Sequence, residues 1–249
     1  MWSPDGTRIS YVTAPSAENV FHPPKAFAQI HVIDADGKPI RTIPVPAEMP
    51  DGTPIAGMRF VENSGWYNNS AVFVSGSENP HYAEYRVFDV ASAMLVKVFA
   101  GYGFTTCASD GKVAYVADPD ESSPQTLHVQ VNGKDFIEVP ADRDPSYFQW
   151  SEDCDRLAYI EEGDGAVLVV LRKNVVEARI PVGAGFDGTL IVPADQGFLL
   201  KEAGQTKYYD IAKKAFLTDL PISVRQESAD DLARALGGTS GNVWTPREK

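Results

Sequence analysis

Along this chain large apolar residues alternate with small or polar ones in short runs, and clusters of Gly, Pro, Asn and Asp separate the runs. A period of two with such punctuation predicts β-strands joined by tight turns. In Ile9-Ser10-Tyr11-Val12 and Leu157-Ala158-Tyr159-Ile160 the large residues flank a Ser or an Ala, as a strand squeezed between two packed layers requires. Both runs belong to a longer repeat. Trp2 to Val12 (WSPDGTRISYV) and Trp150 to Ile160 (WSEDCDRLAYI) align without a gap and share Trp, Ser, Asp, Arg and Tyr. In the first copy Asp5-Gly6 suits a tight connection, because Gly takes positive φ at little steric cost.

The repeat extends over most of the chain. After the first strand and a long connection (13–28), Gln29 to Val45 reads as a hairpin turning at Asp36-Gly37, and a Pro-rich loop ends this unit. A second unit covers Met58 to Gly101, with strands expected near Met58–Val61, Ala71–Ser75, Glu84–Val90 and Met94–Ala100. Its first turn is expected to be enlarged by Gly65-Trp66-Tyr67-Asn68-Asn69. A third runs from Phe104 to Ala141 and carries an Asn132-Gly133 hairpin signal. The fourth, Pro145 to Val182, turns at Lys173-Asn174, and the fifth, Gly188 to Leu220, is more degenerate. Tyr11, Phe73, Tyr115, Tyr159 and Leu200 mark one equivalent place.

Units of four short strands predict an all-β fold, a β-propeller of about five four-stranded blades, or such a piece of a six- or seven-bladed ring. The propeller is expected over residues 1–220 and a tail over 221–249. In that tail Ser228 to Leu236, followed by Gly237-Gly238, reads as a short helix. Asn242 to Pro246 resembles the start of another repeat and is expected to supply the inner strand that the first unit lacks. Met1 stands where Gln149 stands in the later copy, so the chain is expected to begin inside a repeat, with any export signal upstream.

WSPDGTRISYV followed by IHVIDADGKPIRTI resembles the Asp-rich, WD-like repeat of the TolB family, found in periplasmic and other exported bacterial propellers and in prolyl-oligopeptidase-type peptidases. The resemblance covers Trp2 to Ile43 well, and Phe148 to Ile160 and Thr106 to Gly133 less closely. It implies the propeller fold and an extracytoplasmic, periplasmic setting. It implies no particular activity.

Charge narrows the partners. A net charge of −12 argues against DNA, RNA or anionic lipid, whose contacts draw affinity from Lys and Arg. No apolar run is long enough to insert in a membrane as a helix. Cys107 and Cys154 are too few for a disulfide framework. Pairing is open to them, but each reads first as a small packed or turn residue, which leaves the redox compartment open.

Catalytic motifs are wanting. Gly183 to Gly188 has the GxGxxG spacing but precedes a strand where a dinucleotide site needs a helix, and there is no GxSxG, HExxH or CxxC. No cofactor and no metal is therefore expected, and Asp34-Ala35-Asp36-Gly37 reads as a hairpin turn. His31 and His128 are expected at equivalent places on third strands, where repetition favours packing over ligation.

His22 and His81 differ, because both fall in connections between second and third strands. In a propeller those connections share a face with the links between blades, which carry Phe21, Tyr82, Tyr102, Tyr147 and Phe186 beside Asp118, Asp120 and Glu121. Rings in polar, Gly- and Pro-rich loops either pack down locally or meet a partner. The expected function is a non-enzymatic binding propeller for a protein, peptide or glycan. The alternative is a lyase or hydrolase in the central pocket, with His22 or His81 as acid or base.

Overall fold

The structure, a computed structural model, describes residues 1–13, 26–46, 63–79, 82–117, 127–151, 153–173, 175–182, 191–194, 197–202 and 205–217. All regular structure among them is strand. The first sheet is β1 (Arg8–Thr13), β2 (Ala26–Asp34) and β3 (Pro39–Pro46), in chain order. The next is β4 (Asn63–Asn68), β5 (Ala71–Asn79), β6 (Tyr82–Asp89) and the first half of β7 (Leu95–Cys107). Beyond Gly101, where its pairing with β6 ends, β7 begins a further meander with β8 (Lys112–Ala117), β9 (His128–Val131) and β10 (Lys134–Glu138). Two four-stranded sheets follow: β11 (Asp144–Trp150) to β14 (Val175–Pro181) through β12 (Arg156–Glu162) and β13 (Val167–Arg172), and β15 (Ile191–Ala194) to β18 (Ala215–Leu217) through β16 (Gly197–Glu202) and β17 (Gln205–Asp210).

Neighbouring strands in these meanders run antiparallel, the strand plan of propeller blades that the repeat predicts. The outer hairpins turn where expected. Gly37 has φ +83°, and Asn132 and Gly133 both take positive φ, the pair of values a two-residue type I′ hairpin needs. One expectation fails. Gly65-Trp66-Tyr67 belongs to β4 and pairs with β5, so it is strand and not an enlarged turn, and Asn69-Ser70 makes the turn. Burial explains it, since Trp66 and Tyr67 are both buried and a strand delivers one to each face. The segment first taken for that strand, Met58–Val61, lies outside the described residues, as does everything from 218 onward, helix and closing strand included.

The described chain forms two compact units, Met1–Tyr102 with Ala108–Gly111, and Gly103–Cys107 with residues from Lys112 on. In the first unit Ile30, Val32, Ile43 and Val45 of the first sheet share a core with Trp66, Val72, Val74 and Phe88 of the second. In the second unit Ala158, Ile160, Leu168 and Val170 pack with Phe198, Leu200 and Tyr209. The second strands β8 and β12 are buried on both faces, which is why they lack the polar alternation of a half-exposed strand, whereas β1 at the equivalent place keeps exposed positions. At the equivalent mid-strand place Phe73, Tyr115, Tyr159 and Leu200 are buried, whereas Tyr11 is exposed and stacks on His31 at 4.8 Å. Phe73 stacks on Tyr85, Tyr115 on Phe104 and Tyr159 on Phe148, contacts worth about 0.5–1.5 kcal/mol each beyond their buried area. At Gly197 a Cβ would run into the Tyr209 carbonyl, so this strand pair approaches only because the side chain is missing.

The repeated opening motif builds the same turn twice. Asp5 Oδ1 accepts hydrogen bonds from the Ser3 hydroxyl (2.6 Å), the Thr7 amide (3.1 Å) and the Thr7 hydroxyl (2.8 Å), while Ser3 Oγ accepts from the Arg8 amide (2.9 Å). Asp153 Oδ1 accepts from the Ser151 hydroxyl (2.6 Å) and the Asp155 amide (3.0 Å), and Ser151 Oγ from the Arg156 amide (2.9 Å). Gly6 sits at φ +69° in the first copy and Cys154 at φ +57° in the second. A cation lies over a tryptophan in each unit, Arg8 over Trp66 at 5.1 Å and Lys112 over Trp150 at 5.7 Å. The Trp66 indole donates to the Met1 carbonyl at 3.0 Å, whereas the buried Trp150 Nε1 has no partner among the described residues.

Bonds from Ser3 and Thr7 hold the Asp5 carboxyl down at about 2, and Ser151 with the Asp155 amide lowers Asp153 likewise. An unfolded Asp titrates near about 3.9, so between these values the unfolded chain binds more protons and stability rises with pH. The contribution of the Asp5 turn is present above about pH 4 and lost as the pH falls to about 2, and that of Asp153 has the same sign. Urea midpoints measured across that window should fall with acid in the natural chain and fall less steeply in Asp5→Asn.

Candidate functional site

Phe21, His22, His81 and Phe186 lie outside the described residues, with Asp118, Asp120 and Glu121. Tyr82 opens β6, and its neighbour Ala83 pairs with Gly101, so Tyr82 and the partly buried Tyr102 are brought to the same end of the second sheet. Tyr102 stands between two glycines of positive φ, Gly101 and Gly103, at the passage from one half of β7 to the other. A side chain at Gly103 would press on the Phe148 ring at 3.2 Å. Tyr147 belongs to the second unit.

Tyr147 sits within β11, not in a connection. Ser146 pairs with Ile160 and Gln149 with Ala158, so Tyr147 and Phe148 together face the single residue Tyr159. This is a β-bulge, and it places Tyr147 at φ +56°, a conformation disfavoured for a bulky residue. The bulge separates two aromatic fates. Phe148 is buried against Tyr159 with ring centroids 5.1 Å apart, while Tyr147 is 40% exposed. Partial burial, and then the charge of Glu162, push the Tyr147 phenol above its ordinary value and keep it a neutral donor at physiological pH.

Carboxylates gather at this end of β11 and β12. Asp144 lies opposite Glu162 in register, an arrangement that like charges disfavour, and Glu162 Oε1 accepts a bond from the Ser146 hydroxyl at 2.9 Å. Glu161, 1% exposed, accepts from Tyr159 Oη at 3.0 Å and from Arg179 Nη1 at 2.5 Å. Burial first, and then the Glu161 charge, raise the Tyr159 phenol strongly. With one oxygen on a phenol and the other on a guanidinium, Glu161 is committed to structure and is not an available general base.

The remaining candidates for chemistry resolve into packing. His31 Nε2 is 2.9 Å from the Thr13 hydroxyl and Nδ1 is 3.3 Å from that of Thr42, so both ring nitrogens are occupied by hydroxyls. His31 and His128 are not equivalent, contrary to the sequence expectation. His31 pairs with Tyr11, but Gln130 pairs with Tyr115, and His128 lies two residues away opposite Ala117. The register that the central Tyr sets, and not His identity, defines the equivalent place. Asp34 Oδ1 accepts from the Asp36 and Lys38 amides, which makes the 34–37 run a turn. Among the described residues no cluster of three or more His, Cys, Asp or Glu is placed to hold a metal.

Cys107 and Cys154 form a disulfide, Cα atoms 5.8 Å apart, which corrects their reading as separate packed residues. A signal was available, because Cys154 occupies the place of Gly6 in a turn that needs positive φ. Ser146, Glu162 and the Glu161–Arg179 pair were not marked in the sequence, since each depends on the bulge or on a cross-strand partner far away in the chain.

By fold the chain is a β-propeller protein. It resembles the eukaryotic initiation factor at TM-score 0.56 and 14% identity, over 88% of this chain and 52% of that one. It also resembles an acylaminoacyl peptidase solved with Z-Gly-Gly-Phe-chloromethyl ketone (TM-score 0.53, 17% identity, 88% of this chain, 37% of that one) and oligopeptidase B from Leishmania major (0.52, 9%, 87% and 33%). The chain spans between about a third and about a half of the length of these proteins. Identities this low establish likeness of fold and nothing about activity. No family model and no curated protein matches the sequence.

Arg179→Met should strand the Glu161 carboxylate. Because Arg179 is itself part-exposed, the expected loss is about 1–3 kcal/mol at pH 7, below that of a fully buried pair. Urea unfolding should show it, with much of the loss recovered in the Glu161→Gln, Arg179→Met double variant.

Proposed function

We propose that this chain is an extracytoplasmic propeller that binds a protein or peptide, or a glycan, without catalysing a reaction. Its binding face carries Phe21, His22, His81, Tyr82, Tyr102, Tyr147 and Phe186. The observation that supports this best is Tyr147, an aromatic side chain that a bulge of positive φ delivers to solvent while its neighbour Phe148 is buried. Backbone of this kind costs about 1–3 kcal/mol and persists where the surrounding structure enforces it, commonly at sites of recognition. Tyr is well suited to such a role, offering a large rigid contact area and a polar tip.

Two of the structures it resembles are peptidases, of which it spans about a third, and that favours a peptide or an unfolded protein segment over a glycan. An extracytoplasmic setting is supported by the Cys107–Cys154 bond, since such bonds persist in oxidising compartments, and by the TolB-type repeat. No helix among the described residues is long and apolar enough to cross a membrane. The organisation that accompanies this reading is a propeller over 1–220 and a tail over 221–249 whose Asn242 to Pro246 segment completes the first sheet, described here with three strands.

Two measurements test it. Surface-immobilised full chain, screened against peptide and oligosaccharide arrays, should select a ligand whose affinity falls at least about tenfold in Tyr102→Ala, Tyr147→Ala. An unchanged affinity, with the melt also unchanged, would assign binding elsewhere. Deleting Gly241 to Lys249 should lower the melting temperature by many degrees, and an unaltered melt would remove the closing strand from the scheme.

A further inference from the structure

We propose that the Cys107–Cys154 disulfide is a redox latch on the β11–β12 turn, opened by a dithiol reductant. Cys107 is the last residue of β7 and Cys154 lies in the turn, 47 residues further on. At φ +57° Cys154 takes the left-handed conformation that Gly6 supplies in the equivalent turn. A residue with a Cβ resists that conformation, so something must hold it. Three restraints converge there: the crosslink itself, the Cys154 amide on the Ser151 carbonyl at 2.9 Å, and Lys112 Nζ on the Cys154 carbonyl at 2.9 Å. Only the first can be removed chemically without changing the sequence.

The two sulfurs are unequally placed. Cys154 is 1% exposed, whereas Cys107 is partly exposed, so an incoming thiolate meets Cys107 first. Its attack on Cys107 Sγ forms a mixed disulfide and breaks the S–S bond, and the bonding pair leaves on Cys154 Sγ, which takes up a proton. The reductant's second thiol then displaces Cys107 and closes the reductant's own disulfide. Two electrons and two protons have passed to the protein. Once free, Cys154 keeps a disfavoured backbone conformation without the crosslink that braced it. The turn loosens, and with it the Ser151–Asp153 network and the seat of Lys112 over Trp150.

Full-length protein is incubated with dithiothreitol at neutral pH, well below its melting temperature, and followed by thiol titration, limited proteolysis and far-ultraviolet circular dichroism. The latch predicts two titratable thiols, cleavage within 150–156 accelerated about tenfold or more, and an intact strand spectrum. Cysteines that stay unreactive until the whole chain melts, or thiols that appear without faster cleavage, would overturn it. Variants separate the latch from a simple crosslink. Cys107→Ser should cleave as fast as the reduced protein, and adding Cys154→Gly should restore slow cleavage and raise the melting temperature by about 2–4 °C over Cys107→Ser, because glycine needs no brace. A double variant no better than Cys107→Ser would show that the bond does not hold the turn, and would reject the proposal.

Discussion

The second strands β8 and β12 have almost no face to give to water. β8 and β12 are buried along nearly their whole length on both sides, so a sheet of four short strands is stable only when apolar layers cover it front and back. That constraint decides which residues the strands carry. Small residues, Ala114 and Ala158, alternate with Tyr115 and Tyr159 because the two layers need different depths. Within one sheet the spacing is as strict, as at Gly197, where a methyl group would meet the carbonyl of the paired strand.

Against that background the Ser-Asp turn is a device for starting the strand in the right place. One carboxylate oxygen gathers the hydroxyl and amide donors of its own loop, and one serine hydroxyl ties the loop back to the strand. The arrangement is local in sequence, which is why it was legible as a repeated string. Meander boundaries were legible for the same reason, with turn dipeptides such as Asp36-Gly37 and Asn132-Gly133 stating their own conformation. The segment around Trp66 is strand where an enlarged turn is expected, because burial of Trp66 and Tyr67 on opposite faces requires the extended backbone.

The candidate site was less legible, and the physical reason is the period of two. A bulge shifts the pattern by one residue, and nothing in Ser146-Tyr147-Phe148 announces which ring will be buried. The partners of Glu161 come from another strand, Arg179, and from two residues back, Tyr159, so the locked carboxylate looks in sequence like any surface acid. The disulfide stood between these cases. Cys154 in a glycine's place was a local signal, but its meaning depended on Cys107, far earlier in the chain.

The cation-capped tryptophans carry a consequence for how this molecule can be watched. Trp66 beneath Arg8 and Trp150 beneath Lys112 place one buried indole in each compact unit, the first hydrogen-bonded to a carbonyl and the second with its N–H unpaired among the described residues. Two such rings differ in polarity and in neighbouring charge, so their emission maxima should differ as well. With Trp2 and Trp244 also changed to Phe, replacing one of the pair leaves the other as a built-in lamp for the unfolding of its own unit.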